Sequence, residues 1–72
     1  MFVNSIKYDN GTMWVDYEKE DADGVIRDMQ VTYDLYFGVC NVNNMEITSN
    51  NEYLLSDVIN SVNEDLKEIG VI

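Results

Sequence analysis

Carboxylates are the side chains of this chain that could do chemistry, and they are concentrated in one stretch. The sequence holds 14 Asp and Glu residues against 4 Lys and Arg, a net charge of −10, and it contains no His. Such acids can transfer protons, bind metal ions, or present negative charge to a basic partner. Seven of the 14 lie between residues 16 and 34: Asp16, Glu18, Glu20, Asp21, Asp23, Asp28 and Asp34.

Metal binding is the first of these chemistries to consider. The segment 19–24, Lys-Glu-Asp-Ala-Asp-Gly, ends like the calcium-binding loop of an EF-hand, whose sixth position is a glycine. In that alignment Lys19 takes the first position and Gln30 the twelfth, although both positions need an acidic ligand. No helix is predicted on either side. We interpret the segment as a hairpin turn and expect no metal site and no cofactor, beyond the weak, unspecific cation binding of an acidic cluster.

Catalysis by the carboxylates is the second, and the sequence disfavours it. Asp16, Glu18 and Asp28 are expected to lie close together, where crowded acids raise one another's pKa. Enzymes that use paired carboxylates hold them in a substrate cleft, which an exposed sheet face in a chain of 72 residues does not offer. The chain also lacks a nucleophile motif and a Gly-rich phosphate loop. We therefore expect a protein that is not an enzyme.

The acids are positioned by the stretch 12–37, which has the pattern of two β-strands joined by a tight turn. Apolar and polar residues alternate in both halves, as in half-buried strands. A three-residue loop, 22–24, pairs Asp21 with Val25, puts Gly24 in the left-handed position and brings the apolar residues onto one face. A two-residue loop would mix the faces. The polar face then carries Trp14, Asp16, Glu18, Asp28, Asp34 and Tyr36.

An N-terminal strand extends the same sheet. The pair Asn10-Gly11 predicts a two-residue type I′ turn that sets Tyr8 opposite Met13. One polar residue, Asn4, interrupts the apolar face of residues 2–8. That face consists of Phe2, Ile6 and Tyr8.

The alternation changes phase after the second strand of the hairpin. We expect a bulge at Gly38 to absorb the shift, so that Cys40 and Val42 point inward. Asn43-Asn44 is then a turn, and residues 45–48 form a short returning strand. A loop with one short strand is the alternative for this segment.

The last third of the chain predicts a helix. Ser49 and Glu52 have the spacing of a capping box, and Gly70 suits a left-handed C-terminal cap that brings Val71 to Leu66. Apolar residues at three- and four-residue spacing form one stripe of an amphipathic helix. They are Leu55, Val58, Ile59, Val62, Leu66 and Ile69.

Together these elements predict an α+β fold, a three- to four-stranded antiparallel β-meander with one C-terminal amphipathic helix packed on its apolar face. The length predicts a single domain over residues 1–72. Neither a signal-peptide pattern nor an apolar run of the ~20 residues that span a membrane is present, so we expect a cytoplasmic protein. The expected bounds are about 2–8, 12–20, 25–37 and 45–48 for the strands and about 50–69 for the helix.

The acidic face has the spacing of a nucleic-acid backbone. Residues i and i+2 of a strand are ~6.6–6.8 Å apart, and two nucleotides of a duplex strand advance by ~6.8 Å. Glu18 opposite Asp28 is a like-charge pair that destabilises the sheet, and function is one reason to retain it. An exposed aromatic residue among charges, such as Trp14, has the composition of a binding hot spot. The alternative is a solvated face that serves solubility alone.

A small, His-free, acidic chain with a carboxylate-bearing sheet face resembles in kind the virus-encoded inhibitors of host nucleic-acid enzymes. These include anti-CRISPR proteins, anti-restriction proteins and uracil-DNA glycosylase inhibitors. The resemblance implies a phage-type DNA or RNA mimic, acting in the host cytoplasm, that binds the basic groove of a nuclease or CRISPR effector. The net charge of the chain, −10, disfavours direct binding to nucleic acids or anionic membranes. The expected partner-binding residues are Trp14, Asp16, Glu18, Glu20, Asp21, Asp23, Asp28, Asp34 and Tyr36.

Two other functions are compatible with the same residues. One is a small structural or adaptor subunit of a homo- or hetero-oligomer, a homodimer included, held through a strand edge or the helix. The other is an acidic immunity or antitoxin partner of a basic nuclease, which would share the physics of the mimic.

Overall fold

In the computed structural model, which describes residues 1–72, a five-stranded antiparallel sheet carries one C-terminal helix. The strands follow one another in the order of the chain, so the predicted α+β meander is confirmed, with five strands where three to four were predicted. The elements are β1 (Phe2–Asp9), β2 (Thr12–Glu20), β3 (Ile26–Asp34), β4 (Gly38–Val42), β5 (Met45–Glu46) and α1 (Ser56–Ile69).

The hairpin of β2 and β3 has the predicted register. Val15 lies opposite Val31. The Asp21 N–H donates to the Val25 carbonyl at 3.0 Å, which closes the three-residue loop. Gly24 has φ +80°, the left-handed conformation that this loop requires. Turn chemistry and alternation therefore agree, and together they place the acidic residues of both strands on one face.

The hairpin of β1 and β2 is also confirmed, but its far end differs from the prediction. Asn10-Gly11 forms the two-residue turn, with φ of 50° and 85°. The register then shifts at Asn4, and Val3, not Phe2, lies opposite Tyr17 on the apolar side. The placement of Phe2 on the apolar face was wrong because the bulge takes up the polar Asn4 and reverses the faces beyond it.

The phase change after β3 is absorbed at a different residue from the one predicted. Val39 lies opposite Tyr33 and Val42 opposite Val31, which leaves Cys40 as the unpaired residue between them. The bulge is therefore at Cys40 instead of Gly38. As a result, the two valines are buried and the smaller thiol is only half-buried.

The turn between β4 and β5 is held by one asparagine side chain. Asn43 and Asn44 both have positive φ, as a tight two-residue turn requires. Asn43 Oδ1 accepts the Gln30 N–H at 2.7 Å, and its Nδ2 donates to the Asp28 carbonyl at 2.8 Å. The side chain thus continues the hydrogen bonding of β3 beyond the end of β4. The returning strand, β5, has two residues where four were predicted.

Helix α1 begins at Ser56, six residues after the predicted start at 50. The capping box of Ser49 and Glu52 does not form. Instead Asn51 Oδ1 accepts the Thr48 N–H at 2.7 Å, which holds the segment after β5 in turns. The other end is as predicted, because Gly70 is left-handed and its N–H donates to the Leu66 carbonyl at 3.0 Å.

The core lies between α1 and the three middle strands. All eight residues of β1 are exposed, and β1 contributes nothing to the core. The buried apolar residues are Met13, Val15, Tyr17, Val31, Val39, Val42, Val62 and Leu66.

Leu66→Ala tests whether α1 is held by this core. Leu66 is 0% exposed, so its truncation leaves a cavity and is expected to lower the free energy of unfolding by about 2–5 kcal/mol. Leu54→Ala removes the same atoms from a residue that is 80% exposed and is expected to change it by less than about 0.5 kcal/mol. Urea unfolding followed by circular dichroism measures both. Equal effects of the two substitutions would contradict this packing.

Candidate partner-binding face

The sheet surface opposite α1, here the outer face, carries most of the acidic residues predicted to bind a partner. Trp14 lies opposite Thr32 across β2 and β3, Asp16 opposite Gln30, and Glu18 opposite Asp28. Their neighbours along each strand point to the core, which fixes these side chains on the outer face. The predicted juxtaposition of acids from two strands is therefore present.

No cation of the protein neutralises the acids at the centre of this face. The ion pairs of the structure are Lys19–Asp65, Arg27–Asp21 and Lys67–Glu64. Glu18 and Asp28 thus meet across the strands without a counter-ion. Their mutual repulsion disfavours the folded sheet.

Two of the predicted acids accept hydrogen bonds that hold turns. Asp21 Oδ1 accepts the N–H groups of Asp23 and Val25, each at 3.0 Å, and its Oδ2 accepts Arg27 Nε at 2.8 Å. The Arg27 hydrogen bond, followed by the Val25 N–H, lowers the pKa of Asp21 below its ordinary value. Its charge is therefore bound within the loop.

Asp34 has a corresponding role at the other end of the sheet. Its Oδ1 accepts the N–H groups of Tyr36 and Phe37 at 2.7 and 2.8 Å, which closes the turn after β3. Tyr36 lies in this turn, because β3 ends at Asp34 and not at residue 37. Tyr36 is 89% exposed and packs edge-on against Phe37, with ring centroids 5.0 Å apart. The structure therefore separates Tyr36 from the row that holds Trp14.

The two remaining predicted residues lie near the β2–β3 turn. Glu20 is the last residue of β2 and pairs with Ile26, and Asp23 is exposed at the tip of the loop. Neither side chain is in an ion pair. They extend the charge of the outer face toward this end of the sheet.

An open depression of about 390 Å³ lies in the middle of the outer face, a feature that the sequence did not predict. Alternation assigned Gln30 and Thr32 to the polar side, but Asn41 lies on β4 and Asn44 in the turn that follows it, and the register of β4 depends on the bulge at Cys40. The lining side chains that point outward are Ser5, Trp14, Asp16, Gln30, Thr32, Asn41 and Asn44.

A buried polar network on the other side of the sheet was also missed. Tyr17 is fully buried, and its hydroxyl donates to Asp65 Oδ2 at 2.7 Å. Lys19 Nζ donates to the same oxygen at 2.9 Å and to Ser61 Oγ at 3.1 Å. Burial, and then the hydrogen bond and charge of Asp65, raise the pKa of Tyr17 above its ordinary 10.0. The sequence feature that could have revealed this network is Asp65, an acid that lies within the apolar stripe of the helix, between Val62 and Leu66.

Neither a metal-binding cluster nor a similar known protein points to a function for this chain. The structure has no group of three or more acidic or thiol side chains arranged to hold a metal ion. Helix α1 has 14 residues and is neither long nor apolar enough to cross a membrane. No protein-family model, curated protein or solved structure matches the chain.

Tyr17→Phe tests the buried network through its pH dependence. The raised pKa keeps the folded phenol protonated at pH values where the unfolded phenol ionises. The Tyr17 contribution to stability is therefore complete below pH 10 and declines above it, by up to about 1.4 kcal/mol per pH unit. Tyr17→Phe is expected to lack this decline. Urea unfolding of both proteins at several pH values between 8 and 11 measures it, and parallel stability curves would contradict the assignment.

Proposed function

We propose that this chain is a small, non-enzymatic inhibitor of phage type that binds the basic nucleic-acid-binding groove of a host enzyme as a DNA or RNA mimic. A nuclease or a CRISPR effector in the host cytoplasm is the expected class of partner. The observation that carries the proposal is the cluster of Asp16, Glu18 and Asp28, which is on two neighbouring strands and has no counter-ion.

Spacing and charge both support a phosphate-like role for this cluster. Asp16 and Glu18 are two residues apart on one strand, so their Cα atoms are separated by ~6.6–6.8 Å, the advance of two nucleotides. The chain has a net charge of −10, which speeds encounter with a basic groove. Glu20 and Asp23 continue the charge toward the loop.

The energetic cost of the cluster is a further argument. Glu18 and Asp28 repel each other across the strands, and neither contributes to the core. A neutral polar pair at these positions would give a more stable sheet that still faces water. Binding to a basic partner relieves this repulsion, because the partner's cations neutralise the two carboxylates.

The paired charge reversal Glu18→Lys with Asp28→Lys tests this proposal. It changes the net charge from −10 to −6, because each reversal adds two units. We expect loss of partner binding and little change in the free energy of unfolding, because the two introduced lysines repel each other across the strands as the acids did, while each gains attraction from neighbouring acids. The control Asp57→Lys with Glu68→Lys makes the same charge change on exposed positions of α1.

The measurement is capture from a bacterial lysate by the immobilised protein, elution in a salt gradient, and displacement of a labelled duplex from the captured protein. Support requires a nucleic-acid-binding protein that elutes at moderate salt, is displaced from its duplex, and is lost only with the outer-face variant. Equal loss with the α1 variant would show that net charge alone acts and would contradict the proposal. If the chain is instead an immunity partner, the same eluted fraction contains the basic nuclease that it inhibits.

The exposed strand β1 favours a second candidate, a subunit of a homo-oligomer. Val3, Ile6 and Tyr8 share the apolar side of this edge strand and remain solvent-exposed. Strand β1 contains one cation, Lys7, and one acid, Asp9, so its side-chain charges cancel and a second copy of an acidic chain meets little repulsion at this edge. Antiparallel pairing of two β1 edges would join the two sheets.

Ile6→Lys tests the oligomer. If β1 pairs with a second copy, light scattering after size exclusion at about 100 µM shows a dimer for the native chain and a monomer for Ile6→Lys. Val25→Lys makes the same change on an exposed apolar residue outside β1 and is expected to leave the dimer intact. A monomeric native chain at this concentration would rule out this second candidate.

A further inference from the structure

The depression of the outer face combines an aromatic wall with polar groups that the protein does not use. Trp14 is 43% exposed and borders the depression on β2, beside Asp16. None of the side-chain hydrogen bonds of the structure involves the carboxylate of Asp16 or the side-chain amides of Gln30 and Asn41. These groups converge on one open space of about 390 Å³.

We propose that this depression binds an arginine side chain of the basic partner. The guanidinium stacks on the Trp14 ring and donates to the Asp16 carboxylate, while amide oxygens of Gln30 and Asn41 accept its remaining N–H groups. This inference rests on the proposed function and names the group that the outer face recognises. The carboxylates around the depression then contact those cations of the partner that normally bind phosphate.

Arginine fits this lining better than lysine does. Its guanidinium is planar, so it can lie against an indole ring and still present N–H groups at its edge. It has five donors and no acceptor, which suits a lining of a carboxylate, amide oxygens and hydroxyls. A lysine ammonium is a compact, strongly hydrated charge and gains less from an aromatic wall.

The charge around the depression favours a cation over a neutral or anionic ligand. Asp16 has no counter-ion. Glu18 lies two residues from Asp16 along β2, and Asp28 lies opposite Glu18 on β3. Lys7, opposite Trp14 across β1 and β2, is the cation next to the depression and opposes an incoming positive charge. Removing the Lys7 charge is therefore expected to tighten binding, whereas removing the Asp16 charge weakens it.

The test uses the isolated full chain and the fluorescence of Trp14, its sole tryptophan. The probes are N-acetyl-arginine amide, N-acetyl-lysine amide, a nucleoside and glucose, each titrated at low ionic strength. We expect a saturable change with the arginine probe, with a Kd of ~1 mM for so small a ligand. Asp16→Asn should weaken it about tenfold, and Lys7→Met should strengthen it. Asp57→Asn, an exposed acid on α1, should leave it unchanged.

Three outcomes would overturn the inference. Equal binding of the lysine and arginine probes would show an unspecific acidic surface, and tighter binding of the nucleoside or glucose would assign the depression to a neutral ligand. No saturation with the arginine probe would show that there is no site. None of these results affects partner capture by the native chain. Failure here, together with loss of capture on charge reversal of Glu18 and Asp28, would leave the proposed function standing without its arginine site.

Discussion

The contact between Tyr17 and Asp65 fixes the position of the helix on the sheet, and the remaining surfaces follow from it. Tyr17 is buried at the centre of the apolar side, where an unpartnered hydroxyl would be costly, and Asp65 supplies the acceptor at 2.7 Å. Lys19 adds the compensating charge from the same strand at 2.9 Å. A buried carboxylate with two donors from β2 holds one turn of α1 over this strand, while Val62 and Leu66 fill the core beside it.

A single helix placed over β2, β3 and β4 decides which surfaces remain available. The side of the sheet beneath α1 must be apolar, so strand acids are confined to the outer face and the loops. Strand β1 lies beyond the reach of the helix and keeps Ile6 and Tyr8 exposed. The acidic outer face and the neutral β1 edge are thus consequences of one packing arrangement. They are the two surfaces from which the proposed functions are argued.

Much of the sheet could be predicted because local signals agreed with one another. Asn10-Gly11 predicted one register for the first hairpin, and in the second, alternation in the strands selected the three-residue loop ending at Gly24 over the two-residue alternative. The errors fall where one residue changes the phase. A bulge can be absorbed at any of several neighbouring positions, and packing of Val39 and Val42 selected Cys40. The helix start was missed because the side chain of Asn51 bonds to Thr48 and so stabilises turns, a competition that spacing does not reveal.

The sequence predicted which face carries the acidic residues, but not which of their carboxylates are free of hydrogen bonds to the protein. Alternation distinguishes inward from outward positions, yet it cannot distinguish a free carboxylate from one that closes a turn, as Asp21 and Asp34 do. This difference matters for a phosphate mimic, because the N–H groups occupy acceptor positions of the carboxylate and hold it against the turn, which leaves it fewer positions for a partner's cation. Asp16, Glu18 and Asp28 have no such bonds to lose. Charge on this face is therefore best judged by which acids the fold leaves unpaired, and not by how many the sequence contains.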